Sequence, residues 1–237
     1  PPKTISLRHL TAESAVKTRS IIMFIGPLVH HLKNFRIPQA GGCKLGSRTV
    51  KPHLFALEKL GVDITVGANT YAVRVKKLRP REIVLYESGD TVTLNTIMAA
   101  ALIPGATTIK FASANYQVQE LCFFLETLGV KIDGISTTTL VIHGLSEINV
   151  SAEYELSEDP IDSMFFIAAA IVTKSGITIK RCPIDFLEIE LLKLEKMGFR
   201  YKILARYKAS NKRTNLANIK TFPSKLKALE EKIEARP

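Results

Sequence analysis

One cysteine stands between glycines and beside two cations, in Gly41-Gly42-Cys43-Lys44-Leu45-Gly46-Ser47-Arg48. A thiol next to Lys44 and Arg48 is tuned by their charge toward proton transfer or nucleophilic chemistry, and a loop this rich in glycine can close over a bound molecule. A lone cysteine is more often a small buried apolar residue, but the flanking glycines and charges argue against that here. Arg48, and Arg19 upstream, each carry a planar fork suited to phosphate or carboxylate; the plainer reading of each is a surface or helix-end ion pair. His53 follows Pro52 at the start of a helix. Cys122 and Cys182 fall in core contexts. Three cysteines with no Cys-x-x-Cys pair argue against a disulfide framework and a zinc site, and fit a reducing cytoplasm. His30 and His31 would point about 100° apart on a helix, a poor metal clamp. No Gly-x-Gly-x-x-Gly or Walker A pattern occurs. Neither a metal nor a cofactor is expected.

The elements that must position these groups are announced by an internal repeat. Leu57-Glu58-Lys59-Leu60-Gly61-Val62 returns as Leu125-Glu126-Thr127-Leu128-Gly129-Val130, and again as Leu194-Glu195-Lys196-Met197-Gly198-Phe199. The glycines are 68 and then 69 residues apart. In each copy apolar residues at helical spacing precede a glycine placed for a left-handed cap, and an alternating strand follows. Upstream of each lies a very apolar helix, at about residues 20–32, 94–103 and 162–172, and a short strand after it, such as 107–111 and 177–181. A second strand, such as 139–142, closes a hairpin. The unit is therefore about 70 residues long and of the type β-α-β-α-β-β, an α/β fold in which helices apolar nearly all round should be buried with sheets around them. An acidic, polar stretch with a proline at 151–160 marks a domain boundary.

Hydrophobic residues make up 46% and charged residues 23% of the 237, ordinary values for a globular protein with a sizeable core. No apolar run reaches the roughly 18–20 residues of a membrane-spanning helix, and no signal peptide is evident. The chain begins Pro1-Pro2 without an initiator Met and stops at Arg236-Pro237, and is expected to be a fragment of a larger protein. The net charge is +11, but residues 200–237 hold 11 Lys and Arg against 3 Asp and Glu, so the surplus is mostly local. Aromatics there are sparse. A solvated basic face is the plain reading and a phosphate-attracting surface the sharper one, so nucleic acid is not the expected partner.

Residues 19–62 closely resemble the enolpyruvyl transferases that act on UDP-N-acetylglucosamine (the UDP-N-acetylglucosamine 1-carboxyvinyltransferase family). The matching text is R-S-I-I-M-F-I-G-P-L, then P-Q-A-G-G-C-K-L-G-S-R, then H-L-F-A-L-E-K-L-G. It continues through T-I-M-A-A-A-L at 96–102, F-L-E-T-L-G-V-K-I at 124–132 and A-A-A-I at 168–171, to about Ile203. The G-G-C-x-x-G-x-R loop is the specific part. The resemblance implies an inside-out α/β barrel fold of two domains, each of three units, with the active site between them. Residues 1–157 would be the catalytic-loop domain, incomplete at its N-terminus, and 158–237 the first part of the second domain. It implies transfer of enolpyruvate from phosphoenolpyruvate to the sugar 3′-hydroxyl with release of phosphate, the first committed step of peptidoglycan synthesis, by a cytoplasmic monomer acting on these two small substrates.

On that resemblance Cys43 is the general acid that protonates the methylene carbon and the position that fosfomycin alkylates. Arg48 and Arg19 hold the anionic groups of phosphoenolpyruvate, and His53 meets the uracil ring. Three places depart from the family. Thr49-Val50-Lys51 replaces its Pro-Val-Asp, whose Asp holds the uridine. Asp90-Thr91-Val92-Thr93-Leu94 replaces a Ser-Val-Gly-Ala-Thr-like turn that meets the diphosphate, which a carboxylate would repel. Asp159 and Asp162 match an Asp-Arg-Ile-Glu segment in which Pro160 replaces the Arg, and capping of the helix that follows is expected of them. The family's Lys-Asn pair would precede Pro1 and its candidate base would follow Pro237, so the chain alone is expected to be inactive. Two alternatives stand beside this reading. One is a related transferase with another acceptor, of the shikimate type, against which the Gly-Gly-Cys loop speaks. The other is a non-catalytic paralogue binding anions or nucleic acid through its basic C-terminal segment.

Overall fold

The computed structural model describes residues 5–7, 10–41 and 49–230. The chain divides between Ala152 and Glu153 into two compact units. A short helix α1 (Ala12–Lys17) opens the first unit.

The repeat is physical. Its first copy is a 3-10 helix (Ser20–Phe24) running into α2 (Ile25–Leu28), then β1 (Asn34–Pro38), α3 (Lys51–Leu60) and the hairpin β2 (Val62–Val66) and β3 (Thr70–Val75). The second is β4 (Glu82–Val84), α4 (Asp90–Ala100), β5 (Gly105–Lys110), α5 (Tyr116–Thr127), β6 (Lys131–Asp133) and β7 (Thr139–Gly144). The third, in the second unit, is α6 (Pro160–Val172), β8 (Thr178–Pro183), α7 (Glu188–Lys196), β9 (Arg200–Lys208) and β10 (Asn215–Phe222). Each copy makes its own sheet by the same rule. The strand between the helices pairs antiparallel with the last strand of the hairpin, giving the orders β1-β3-β2, β4-β5-β7-β6 and β8-β10-β9. Among the described residues only the second copy shows the leading strand of the β-α-β-α-β-β unit. There β4 runs parallel to β5, with α4 as the crossover.

The repeated glycine has one cause. Gly61, Gly129 and Gly198 all take positive φ, at 105°, 93° and 100°, where the helix stops and the chain turns into a strand. A side chain strains that conformation. At Gly61 a Cβ would also lie 2.3 Å from the Lys77 carbonyl oxygen.

The first unit keeps its helices inside. Val92, Ile97, Ala99 and Ala100 of α4 are fully buried, as are Ile22 and Ile25 of the first copy, and the buried strand residues Ile37, Ile83, Ile109 and Ile142 close over them. The expected helix at 20–32 is tighter than anticipated. The segment starts as a 3-10 helix and then widens into α2, where Pro27 stands in the first turn and the N–H it lacks is tolerated. In the second unit the expectation of all-round burial fails for α6. Ile167 and Ala170 pack inward, but Ile161, Phe165, Phe166 and Val172 are 50–80% exposed. One sheet, β8-β10-β9, can cover one face of a helix, and among the described residues no second sheet of this unit lies on the other. No helix among the described residues is long and apolar enough to cross a membrane.

Candidate active site

Cys43 and Arg48 lie outside the described residues, in the segment 42–48; what the structure describes is how the two ends of that segment are held and what surrounds them. On the N-terminal side, Gln39 donates from its backbone to the Asn69 carbonyl (2.9 Å) and from its side chain to the Gly67 carbonyl (2.5 Å). Gly41 donates to the Ala15 carbonyl at 3.4 Å. The Tyr71 hydroxyl meets the backbone of Ala40. Burial raises its pKa, while that bond and the positive charge of Arg19 pull the other way. On the C-terminal side, Arg19 donates from Nη2 to the Thr49 carbonyl at 2.7 Å, and the Thr49 hydroxyl accepts from the backbone of Lys51, the first residue of α3. Arg19 therefore touches the C-terminal end of the Cys43 segment, and its charge reaches Tyr71, which meets the N-terminal end.

His53 belongs to the same cluster. It is in the first turn of α3, where Pro52 suits the helix start because the N–H it lacks would find no partner there. The residue is only 2% exposed. Nδ1 lies 3.2 Å from the Asn95 amide nitrogen and Nε2 lies 3.3 Å from the Thr91 hydroxyl. An amide N–H can only donate, so Nδ1 accepts, the proton sits on Nε2, and the imidazole is neutral. Burial, and after it the charge of Arg19, push the pKa of His53 down to about 4, in agreement with that tautomer.

Asn95 has every polar atom engaged. Its oxygen accepts from the backbone of Gly26 at 2.8 Å, and its amide also donates to the Ile22 carbonyl at 3.2 Å. It thereby ties α4 to the helix that Arg19 begins. That approach needs Gly26, where a Cβ would lie 2.5 Å from both Asn95 oxygens. Sequence reasoning passed over Asn95 and Tyr71, and met Thr91 only as part of the altered turn Asp90-Thr91-Val92-Thr93-Leu94. The available signal was a single amide inside the apolar run from Val92 to Ala101.

Asp90 is held on the protein's own groups. Its carboxylate accepts from the Ser113 hydroxyl at 2.5 Å and from the Asn115 amide at 2.8 Å, and Thr93 accepts from the Ser113 backbone. Asp159 caps α6 through a 2.8 Å bond from Ile161, and Asp162 stands in the first turn. Cys122 and Cys182 are fully buried. Burial pushes the Cys122 thiol up to about 12 and raises that of Cys182 as well, so both are held as inert thiols. Among the described residues no group of three His, Cys, Asp or Glu side chains is arranged to hold a metal.

The sequence profile of EPSP synthase (3-phosphoshikimate 1-carboxyvinyltransferase) matches residues 5–237. Over 202 residues the chain is 36% identical to a UDP-N-acetylglucosamine 1-carboxyvinyltransferase of Sulfurimonas denitrificans, covering 84% of this chain and 48% of that protein. It is 33% identical over 196 residues to one of Bradyrhizobium diazoefficiens, covering 83% and 45%. The chain spans about half the length of the curated relatives it matches. Among solved structures it superposes on the enolpyruvyl transferase NikO from Streptomyces tendae with a TM-score of 0.71 at 19% identity, covering 91% of this chain and 49% of that one. On EPSP synthase from Acinetobacter baumannii the TM-score is 0.64 at 17% identity, covering 90% and 48%.

Proposed function

Since the chain belongs to the EPSP synthase (3-phosphoshikimate 1-carboxyvinyltransferase) family, we propose that it carries the cysteine-loop part of an enzyme that moves enolpyruvate from phosphoenolpyruvate to the 3′-hydroxyl of UDP-N-acetylglucosamine and releases phosphate. The observation that carries this is the Gly-Gly-Cys43 loop on a chain about one-third identical to relatives named for that transfer, with Arg19 anchored on the carbonyl where the loop returns.

In this proposal Cys43 gives a proton to the methylene carbon of phosphoenolpyruvate, and Arg48 and Arg19 hold its phosphate and carboxylate as the proton moves. Arg19 is pre-set for that work because its bond to Thr49 fixes the guanidinium against the base of the loop. His53 serves the nucleotide side of the pocket from behind. Its enclosed, neutral ring holds Thr91 and Asn95 in place without adding a charge beside Arg19. The cellular role that follows is the first committed step of peptidoglycan synthesis in the cytoplasm, and through it cell-wall growth, cell shape and division.

Labelling with fosfomycin tests the assignment. In the presence of UDP-N-acetylglucosamine, mass spectrometry on the intact protein should place one adduct on Cys43, and none on the buried Cys122 or Cys182; an unmodified Cys43 sinks the proposal. Phosphate release should require both phosphoenolpyruvate and UDP-N-acetylglucosamine. Release with shikimate 3-phosphate in place of the nucleotide sugar would move the acceptor assignment to the shikimate type.

A further inference from the structure

The outer face of the β1-β3-β2 sheet carries a hollow. Alternation along the strands puts Phe35, Ile37, Ile64, Tyr71 and Val73 into the core and turns Asn34, Arg36, Asp63, Thr65, Ala72 and Arg74 outward. The register then fixes who stands beside whom. Asn34, Arg74 and Asp63 form one row across the three strands, and Arg36, Ala72 and Thr65 form the next. Arg36 and Arg74 are thus diagonal neighbours, within reach of one small ligand. Between them the central strand offers only the methyl group of Ala72, and a hollow of about 380 Å³ opens there, lined by all six outward residues.

The charges in this hollow are unbalanced. Asp63 is the one carboxylate lining it, and it is engaged by Lys76 at 3.1 Å. Among the described residues the side chains of Arg36 and Arg74 make no hydrogen bond or ion pair. Two exposed arginines line one shallow hollow, with the Asn34 amide and the Thr65 hydroxyl among its other lining groups. Guanidinium forks match the oxygens of a tetrahedral oxyanion in geometry as well as charge. We propose that Arg36 and Arg74, with Ala72 as the floor between them, bind a phosphate-type oxyanion on this outer face, either free phosphate or the phosphate end of a small metabolite.

The test is a titration of the intact protein at constant ionic strength, with inorganic phosphate in one arm and glycerol phosphate in the other, reading the side-chain NMR signals of Arg36 and Arg74. Both signals should shift together and saturate, and whichever ligand binds more tightly identifies the source of the phosphate. Replacing both arginines (Arg36→Gln with Arg74→Gln) should weaken binding by at least about tenfold, the loss of two charge-assisted forks. Ala72→Leu fills the floor while keeping both charges, and should weaken binding comparably. Asp63→Asn removes the nearby negative charge and should tighten it. Arg19→Gln, in the candidate active site, should leave the two signals and their saturation as they are. Shifts that fail to saturate, or saturable binding that survives either the double arginine change or Ala72→Leu, would overturn the proposal.

Discussion

Helices α4 and α6 occupy the same place in their copies of the repeat, yet their burial runs opposite to their composition. α4 carries Asp90, Thr91, Thr93, Asn95 and Thr96, and is enclosed on nearly every side. α6 is almost wholly apolar after Asp162 and Ser163, and still leaves Ile161, Phe165, Phe166 and Val172 in solvent. The difference lies in what surrounds each. α4 touches α2, α3, α5 and β7, whereas α6 has β8 as its main neighbour. Apolar content tells how much a helix gains from being covered; it does not tell whether the cover is there.

Stability measurements resolved by unit, through hydrogen exchange of individual amides, should make this contrast quantitative. The largest effect is expected at Asn95. Asn95→Ala strands the Gly26 N–H, the Ile22 carbonyl and His53 Nδ1 in the interior, and should cost the first unit about 4 kcal/mol. Phe165→Gln on the open face of α6 should change the second unit by no more than about 0.5 kcal/mol. Equal costs at the two positions would mean that the open face of α6 is covered in solution.

Acid should separate the units next. All five histidines lie in the first unit. The pKa of His53 is lowered from 6.5 to about 4 in the folded protein, so the unfolded chain binds the proton first. The stability this group contributes is complete above pH 6.5 and is lost as the pH falls toward 4, by about 3 kcal/mol in all. His53→Gln should flatten that part of the profile, and the second unit should show no such slope from a histidine.

A smaller contrast is expected at the repeat glycines. Gly61→Ala must strain a positive φ and also push the Cβ into the Lys77 carbonyl at 2.3 Å, whereas at Gly198 the nearest atom is the Lys225 carbonyl oxygen at 3.3 Å. Chemical denaturation should find Gly61→Ala costlier by about 2 kcal/mol. The smallest effect has the opposite sign. The Thr107 hydroxyl is buried in β5 without a hydrogen-bond partner among the described residues, so Thr107→Val should stabilise the first unit by about 1 kcal/mol.

Much of the fold was legible because it is local. The three-fold recurrence of a helix, a glycine and a strand follows from helical spacing and from a φ that disfavours side chains, and Gly61, Gly129 and Gly198 take that φ. Asp159 could be recognised as a cap because a cap bonds within its own turn. The candidate site was legible only in part. Cys43, Arg48, Arg19 and His53 stood out by residue type and by the resemblance, but their surroundings are non-local. Asn95 reaches 42 residues back to His53 and 69 to Gly26.

The amino-acid sequence by itself determined the repeating unit, the family and the identity of the chemically able groups, since each is written in short-range spacing or in matched text. Only the tertiary structure decided that Arg19 is tied to the base of the cysteine segment, that His53 is enclosed and neutral, and that Arg36 and Arg74 share an open hollow. Those facts depend on which strands become neighbours and which helices are covered, and burial and long-range contact set the charge state and the freedom of a side chain that its own neighbours in the chain leave open.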